Sequence, residues 1–196
     1  MKNLIIALLL FPGSVFAQSF KGGVQGGITM SQVDGDRYAG FNKTGIWGEL
    51  FVEYPFSENA SMHIGIAGVQ KGSYQQFDQQ DFYRMSLVYV EVPVLYQYRI
   101  LSSKAIFEGG LGFGILVDSK EKTELGLLPS IDSPNFNFFE LSAQVGVKYF
   151  IWKKAGALAR YSYSVIPIRD TGASGTYRRV SGQYNNLLQM ALFYMF

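Results

Sequence analysis

Residues 184–196, YNNLLQMALFYMF, decide how the rest of the chain is read. Counted back in twos from the end, Phe196, Tyr194, Leu192, Met190 and Leu188 make an unbroken apolar row, while Gln189, Ala191 and Asn185 fall in the other register. Alternation by two is the mark of a strand with one oily face, because successive side chains leave a pleated backbone on opposite sides.

The opening of the chain supplies the context. Lys2, an apolar run at 4–11, the breakers Pro12 and Gly13, and Val15-Phe16-Ala17 before Gln18 have the layout of a secretory signal peptide cut after Ala17. The run is too short for a membrane helix, which needs roughly 20 apolar residues. Two parts are therefore expected: 1–17 as signal peptide and 18–196 as a single domain with no linker. Behind such a signal, a closing strand with one greasy side is expected to face lipid.

Of the 17 basic residues, removing Lys2 leaves 16 against 15 acidic ones, so nothing points to nucleic acid. The chain has no cysteine, which excludes a disulfide framework and thiolate metal sites. Its 16 Phe, 13 Tyr and 22 Gly suit short strands and interfacial aromatics better than helices.

Seven more segments alternate in the same way. Segment 20–33 sets Val24, Ile28 and Met30 against Lys21, Gln25 and Thr29, and 43–54 sets Ile46, Leu50, Val52 and Tyr54 against Trp47, Glu49, Phe51 and Glu53. In 60–74, Met62, Ile64 and Ile66 oppose His63, Gly65, Ala67 and Lys71. In 84–100, the row Val88, Val90, Val92, Val94, Tyr96 and Tyr98 opposes Tyr89, Glu91, Pro93, Gln97 and Arg99, with a bulge or kink expected at Pro93 because proline deletes a ladder donor. Segment 105–118 puts Phe107, Leu111, Phe113, Ile115 and Val117 opposite Glu108, Gly110, Gly112 and Gly114. Phe139 to Tyr149, by twos, oppose Glu140, Ser142, Gln144 and Lys148 in 138–150, and Ala159, Tyr161, Tyr163 and Val165 oppose Arg160, Ser162 and Ser164 in 157–168.

Eight strands result, joined by alternately long and short links. The long ones (34–42, 75–83, 119–137, 169–183) all fall at one end and both termini at the other, as an eight-stranded antiparallel up-and-down transmembrane barrel requires. The oily rows carry no charge, whereas the opposite rows carry Glu49, Glu53, Glu91, Glu108, Glu140, Lys71, Arg99, Lys148 and Arg160. A soluble barrel is wired the other way, and an Arg or Lys on a lipid face at mid-bilayer costs roughly 2–4 kcal/mol.

The C-terminal row, with Leu192, Tyr194 and Phe196, resembles the signal by which bacterial outer-membrane barrels are handed to their assembly machinery. Further marks are Gly22-Gly23-Val24 with Gly26-Gly27, segment 45–54 running into Pro55, Gln70-Lys71-Gly72, Tyr89-Val90-Glu91-Val92-Pro93 and the alternating glycines of 105–118. With these the domain resembles the small outer-membrane barrels of the PorT-like, "porin family" kind, relatives of the OmpX/OmpA-like barrels. The resemblance implies an outer-membrane location, periplasmic termini, extracellular long loops, contact with lipid and lipopolysaccharide, and biogenesis through periplasmic chaperones and the barrel-assembly machinery. It implies no single activity, since its members include structural barrels, surface-interaction barrels and secretion components.

Eight strands enclose a lumen that side chains can fill, so the nine inward charges are expected to pair as a plug. Trp47, Phe51 and Tyr89 would then lean over small positions such as Gly65, Ala67, Gly110, Gly112 and Gly146; a water-filled pocket there is the other reading. Ser61 and His63 share a face, as in barrels that deacylate lipid A, but on the lumen side near the periplasmic rim, away from outer-leaflet lipid. Tyr54, Phe56, Tyr96, Tyr98, Tyr149, Trp152 and Tyr194 are expected to form one interfacial girdle, and Tyr74, Phe77, Phe82, Tyr83, Phe136 and Phe138 the other. Arg169, Arg178 and Arg179 give the last loop a positive bias toward lipopolysaccharide phosphates or a partner. The expected function is a non-enzymatic, cofactor-free barrel with a closed lumen that acts through its loops or by docking to an envelope protein. A narrow solute channel is the alternative, and a lipid A-modifying hydrolase a third reading.

Overall fold

The computed structural model describes residues 20–36, 40–77, 81–100, 103–127, 135–170 and 182–196. The expected signal peptide lies outside them, as do Arg178 and Arg179. The strands are β1 (Lys21–Asp34), β2 (Lys43–Pro55), β3 (Ala60–Gln76), β4 (Phe82–Arg99), β5 (Ala105–Thr123), the two-residue β6 (Gly126–Leu127), β7 (Phe139–Phe150), β8 (Ala155–Ser164) and β9 (Tyr184–Met195).

Each long strand pairs antiparallel with its neighbour in sequence, β5 with β7, and β9 returns to β1, so the sheet closes. β6 only folds back on the tip of β5, in a hairpin where Gly126 takes φ 110°. The seam runs from Gly23 opposite Met195 to Asp34 opposite Tyr184. Closure leaves no edge strand, which is what lets a sheet stand in hydrocarbon without unsatisfied backbone groups.

The stagger is read by walking round the ladder. From Gly22 the partners are Val52, Ile64, Val94, Leu111, Ala143, Tyr163 and Asn186, and the walk re-enters β1 at Gln32, ten residues on. Eight strands with that shear, at standard strand spacings, tilt by about 41° and give a backbone radius of about 8 Å. So narrow a tube holds side chains and little else.

The outward and inward rows follow the sequence alternation on all eight strands. Three local expectations are corrected. The bulge lies not at Pro93 but between Val88 and Tyr89, where the β4–β5 register slips and leaves Val117 as the extra residue. Pro93 instead keeps its pairing with Gly112, while pairing with β3 lapses at Val92 and Pro93 and resumes in the same register, since a residue without an N–H can drop a ladder bond without shifting the strand. The strand expected over 157–168 stops at Ser164, because the chain turns through Pro167 to bury Ile168 and bridge Arg169 to Gln183. β5 runs on to Thr123, so β3, β4 and β5, at 17, 18 and 19 residues, overtop β8 at 10 and raise a wall on one side of the long-loop end.

Two apolar clusters sit inside the tube. Trp47, Phe51, Val69, Leu158, Leu187 and Phe193 belong to one, and Val33, Met85, Leu87, Tyr89 and Ile168 form the other, with Tyr83, Leu116 and Phe136 packed against it.

Candidate functional site

Charged side chains cross the lumen in two groups. In the first, Lys148 on β7 donates from Nζ to Glu53 Oε1 on β2 at 2.9 Å and to His63 Nδ1 on β3 at 3.3 Å. His63 Nε2 meets Glu49 Oε1 at 2.5 Å, so its partners select the tautomer that accepts at Nδ1 and donates from Nε2. Arg160 on β8 reaches Glu49 from Nη1 at 3.0 Å and Glu108 from Nε at 2.7 Å. Gln25 donates to the Glu49 oxygen that also accepts from Arg160, at 2.6 Å, and Gln97 to the other oxygen of Glu108, at 3.1 Å.

The second group centres on Lys71, which pairs with Glu91 and lies 3.0 Å from Glu140; Ser164 donates to Glu140 as well. The cations also rest on rings: Lys148 Nζ is 4.2 Å from the centroid of Phe51, Arg160 lies over Trp47 at 5.4 Å, and Lys71 over Tyr89 at 5.0 Å. All eight of these charged side chains are buried. A buried ion holds its place only with a partner and its hydrogen bonds, because the lone charge is costly to desolvate.

The small positions are covered from above. A Cβ built on Gly65 would lie 2.1 Å from Glu49 Oε1, one on Gly112 would lie 2.2 Å from the Gln144 amide, and one on Gly146 would crowd Glu108 and Arg160. Carboxylates and amides, more than the expected aromatics, therefore fill the room these residues leave. Polar packing in the lumen is incomplete in places: among the described residues, Asn185, Gln189 and Gln144 each keep a buried atom without a hydrogen-bond partner, as do Gln25 and Arg160 in the first group.

Arg99, the ninth charge placed in the plug, stands apart. It sits half-buried at the terminal mouth with its guanidinium 5.3 Å over Phe150, and among the described residues it makes no ion pair. At the last residue of β4 it lies one register below the reach of Glu108. His63, read as lying on the lumen side near the rim, is inward and fully buried, and it joins both ends of the first group. Ser61 donates to Gln97 at 3.0 Å and not to His63.

Arg169 is corrected too. It is no free loop cation but buried, forking onto Glu121 at 3.1 and 2.6 Å with its guanidinium 3.7 Å over Phe136. The Tyr83 hydroxyl donates to the same Glu121. Exposed Arg84, Lys120 and Lys122 flank this latch, which places it above the apolar band. Burial, then the Glu121 carboxylate, push the Tyr83 phenol well above the usual tyrosine range. Tyr83 and Phe136 thus belong to the lumen mouth and not to a girdle; at that level Tyr163 stacks on Tyr184 and Phe138 meets Phe139, all on outward positions. At the other end Tyr54, Phe56 and Tyr96, three of the residues expected there, form a continuous ring contact that Phe20 joins.

Leu192 and Tyr194 on β9 and Phe196 directly after it all point outward; Leu192 and Phe196 are 67% and 70% exposed, and Phe196 N–H donates to Gly22 O at 2.9 Å. A closed sheet with an apolar outside and an ion-paired inside accords with the family model for an outer membrane protein beta-barrel domain, which matches residues 16–170. The chain belongs to that outer-membrane barrel family.

Two solved structures of one protein agree on the fold. The attachment invasion locus protein Ail of Yersinia pestis superposes with a TM-score of 0.55 at 16% identity, covering 90% of this chain and 98% of Ail. The same protein in complex with the heparin analogue sucrose octasulfate gives 0.54 at 16% identity, over 90% of this chain and 99% of that one. Neisserial surface protein A gives 0.49 at 12% identity, over 89% and 97%. Among curated proteins none matches the sequence.

The inward apolar residues Leu158, Leu187, Phe193 and Met195 escaped the sequence reading, although they share the parity of the charges. Their signal was present: on β9 both rows are apolar over the last turns of the strand.

Proposed function

We propose that this protein is a non-catalytic outer-membrane barrel with a closed lumen, working in the envelope through its two ends by contact with other envelope components. The observation that carries this reading is the pair of cross-lumen ion groups, with Lys71, Lys148 and Arg160 at most 3% exposed and apolar side chains, Phe51, Trp47 and Tyr89, packed against them. Such a plug leaves no continuous solvated path, and Ser61 and His63 are each committed to other partners inside it.

In this reading the terminal end faces the periplasm and the long-loop wall of β3, β4 and β5 faces outward. Lipid and lipopolysaccharide surround the apolar band, and Leu192, Tyr194 and Phe196 serve assembly by the barrel machinery and its periplasmic chaperones. A PorT-like secretion component is one form that such docking takes.

One observation favours a second reading, a narrow solute channel: the incompletely partnered polar row at Gln144, Asn185 and Gln189. Planar-bilayer recording separates the two. A closed plug gives no reproducible conductance steps; stable steps that change when Asn185 or Gln189 is made Leu would establish the channel.

A further inference from the structure

The chain's near-neutral charge hides an uneven distribution. At the terminal end, Lys21 on β1, Arg99 on β4, Lys104 before β5, and Lys153 and Lys154 in the β7–β8 turn surround an open bowl of about 720 Å³. The acids on the described parts of this end are Glu53, already held by Lys148, and Glu58 on the β2–β3 turn. Met195 and Phe150, the latter beneath the Arg99 guanidinium, form an apolar floor.

These cations come from four separate segments, yet the barrel mouth brings them around one concavity. Lys21, Lys104, Lys153 and Lys154 are exposed, and among the described residues none of the five forms an ion pair. Among the described residues no carboxylate pairs with them, so a polyanion seated among them gains attraction at several points at once. The volume falls in the range of sites for ligands of several hundred daltons, more than one phosphate fills. The bowl sits at the terminal mouth of the barrel, and the outward aromatics Trp152 and Phe196 contribute to its rim.

We propose that this bowl binds a short acidic polypeptide segment of an envelope partner, Asp and Glu side chains engaging the cation ring and an apolar side chain resting on Phe150 and Met195. The proposal deepens the docking function proposed above and rests on it for the partner's location. It does not depend on the loops.

The test uses the full protein in nanodiscs of zwitterionic lipid, with fluorescent octaglutamate as probe and octalysine as control. Octaglutamate is expected to bind saturably, to weaken as salt is raised, and to lose roughly tenfold in affinity in the double variant Arg99→Gln, Lys104→Gln, two partly exposed ion contacts being worth about that much. Lys153→Gln with Lys154→Gln gives a second, independent weakening on a turn that carries no ladder. Lys120→Gln with Lys122→Gln, at the opposite end, leaves binding unchanged. Absence of octaglutamate binding, or binding indifferent to both bowl variants, overturns the proposal. So does loss of binding when phosphatidylglycerol replaces part of the nanodisc lipid, since lipid phosphates would then be the occupant. Orientation is read separately: a membrane-impermeant maleimide that labels Lys104→Cys in intact cells would overturn the periplasmic placement while leaving the bowl's binding intact.

Discussion

Lys148 and Glu53 meet across the full width of the barrel, Nζ to Oε1 at 2.9 Å, from strands four places apart in a ring of eight and 95 residues apart in sequence. No turn or local ladder brings them together; only the closed sheet does. The pair therefore reports closure as directly as any backbone contact.

Removing one partner should expose that dependence. Lys148→Met strands Glu53 and His63 without their ammonium, and breaking a buried pair this way costs about 3–5 kcal/mol. The urea midpoint for unfolding from lipid vesicles is expected to fall accordingly, and adding Glu53→Gln to recover a large part of the loss. Equal stability of wild type and Lys148→Met would show that the pair is not formed.

The outer face makes a depth-dependent prediction. Leu50→Arg, in the middle of β2 on the lipid side, is expected to cost roughly 2–4 kcal/mol, and Tyr98→Arg, near the end of β4 at the terminal rim, only about 0–1. Folding yield into vesicles under a urea gradient measures both. Equal costs would contradict the assigned faces and depths.

Glycine 65 carries a steric prediction. The Glu49 carboxylate that covers it is pinned by His63 and Arg160, so it cannot swing away from an added methyl. Gly65→Ala is expected to destabilise by about 1–3 kcal/mol. The control Gly68→Ala, whose Cβ meets nothing within 4 Å, is expected to be near neutral in the same assay.

At the long-loop end, the Tyr83 hydroxyl bound to Glu121 makes a pH-dependent contribution. Its phenol is raised in the folded state, so the contribution is fully present below the ordinary tyrosine range near 10 and is lost as pH climbs above it. The stability difference between wild type and Tyr83→Phe should hold from pH 7 to about 9.5 and shrink above that. A difference constant to pH 11 would mean that Tyr83 titrates normally.

The latch around Arg169 has a local readout. Arg169→Gln removes the fork onto Glu121 and the stacking on Phe136, and is expected to speed hydrogen exchange at Asn137, whose N–H donates to Ile168 O, by one to two orders of magnitude, roughly the value of a charged hydrogen bond. The amides of the β1–β9 seam should not change. Faster exchange at both places would mean that the latch supports the whole barrel.

How much of this was legible in the sequence follows from the range of each signal. Alternation by two is local, so each strand and its lipid side could be read from its own residues, Val88 to Tyr98 being the clearest case. The sorting of Glu49, Glu108 and Arg160 to the inside was readable for the same reason. Which carboxylate meets which cation was not, because that depends on a shear of ten accumulated around the whole barrel. Arg99, with the right parity, ends too low to join, and His63, with the same parity, becomes central. Arg169 and Tyr83 were misplaced because the reach of β3, β4 and β5 beyond the apolar band leaves no periodic trace. The apolar interior at Leu187, Phe193 and Met195 was hidden by the expectation that the inner row is polar.

The central claim is that the even-numbered row of β2 touches hydrocarbon while the odd-numbered row is packed in a dry, closed lumen. Because the chain has no cysteine, single cysteines at each of positions 46–53 can carry a nitroxide without background. In lipid vesicles the account predicts high accessibility to oxygen at 46, 48, 50 and 52, and low accessibility to both oxygen and a water-soluble nickel chelate at 47, 49 and 51, with position 53 opening onto the terminal bowl. Strong collision with the nickel chelate at 49 and 51, or no alternation at all, would contradict it.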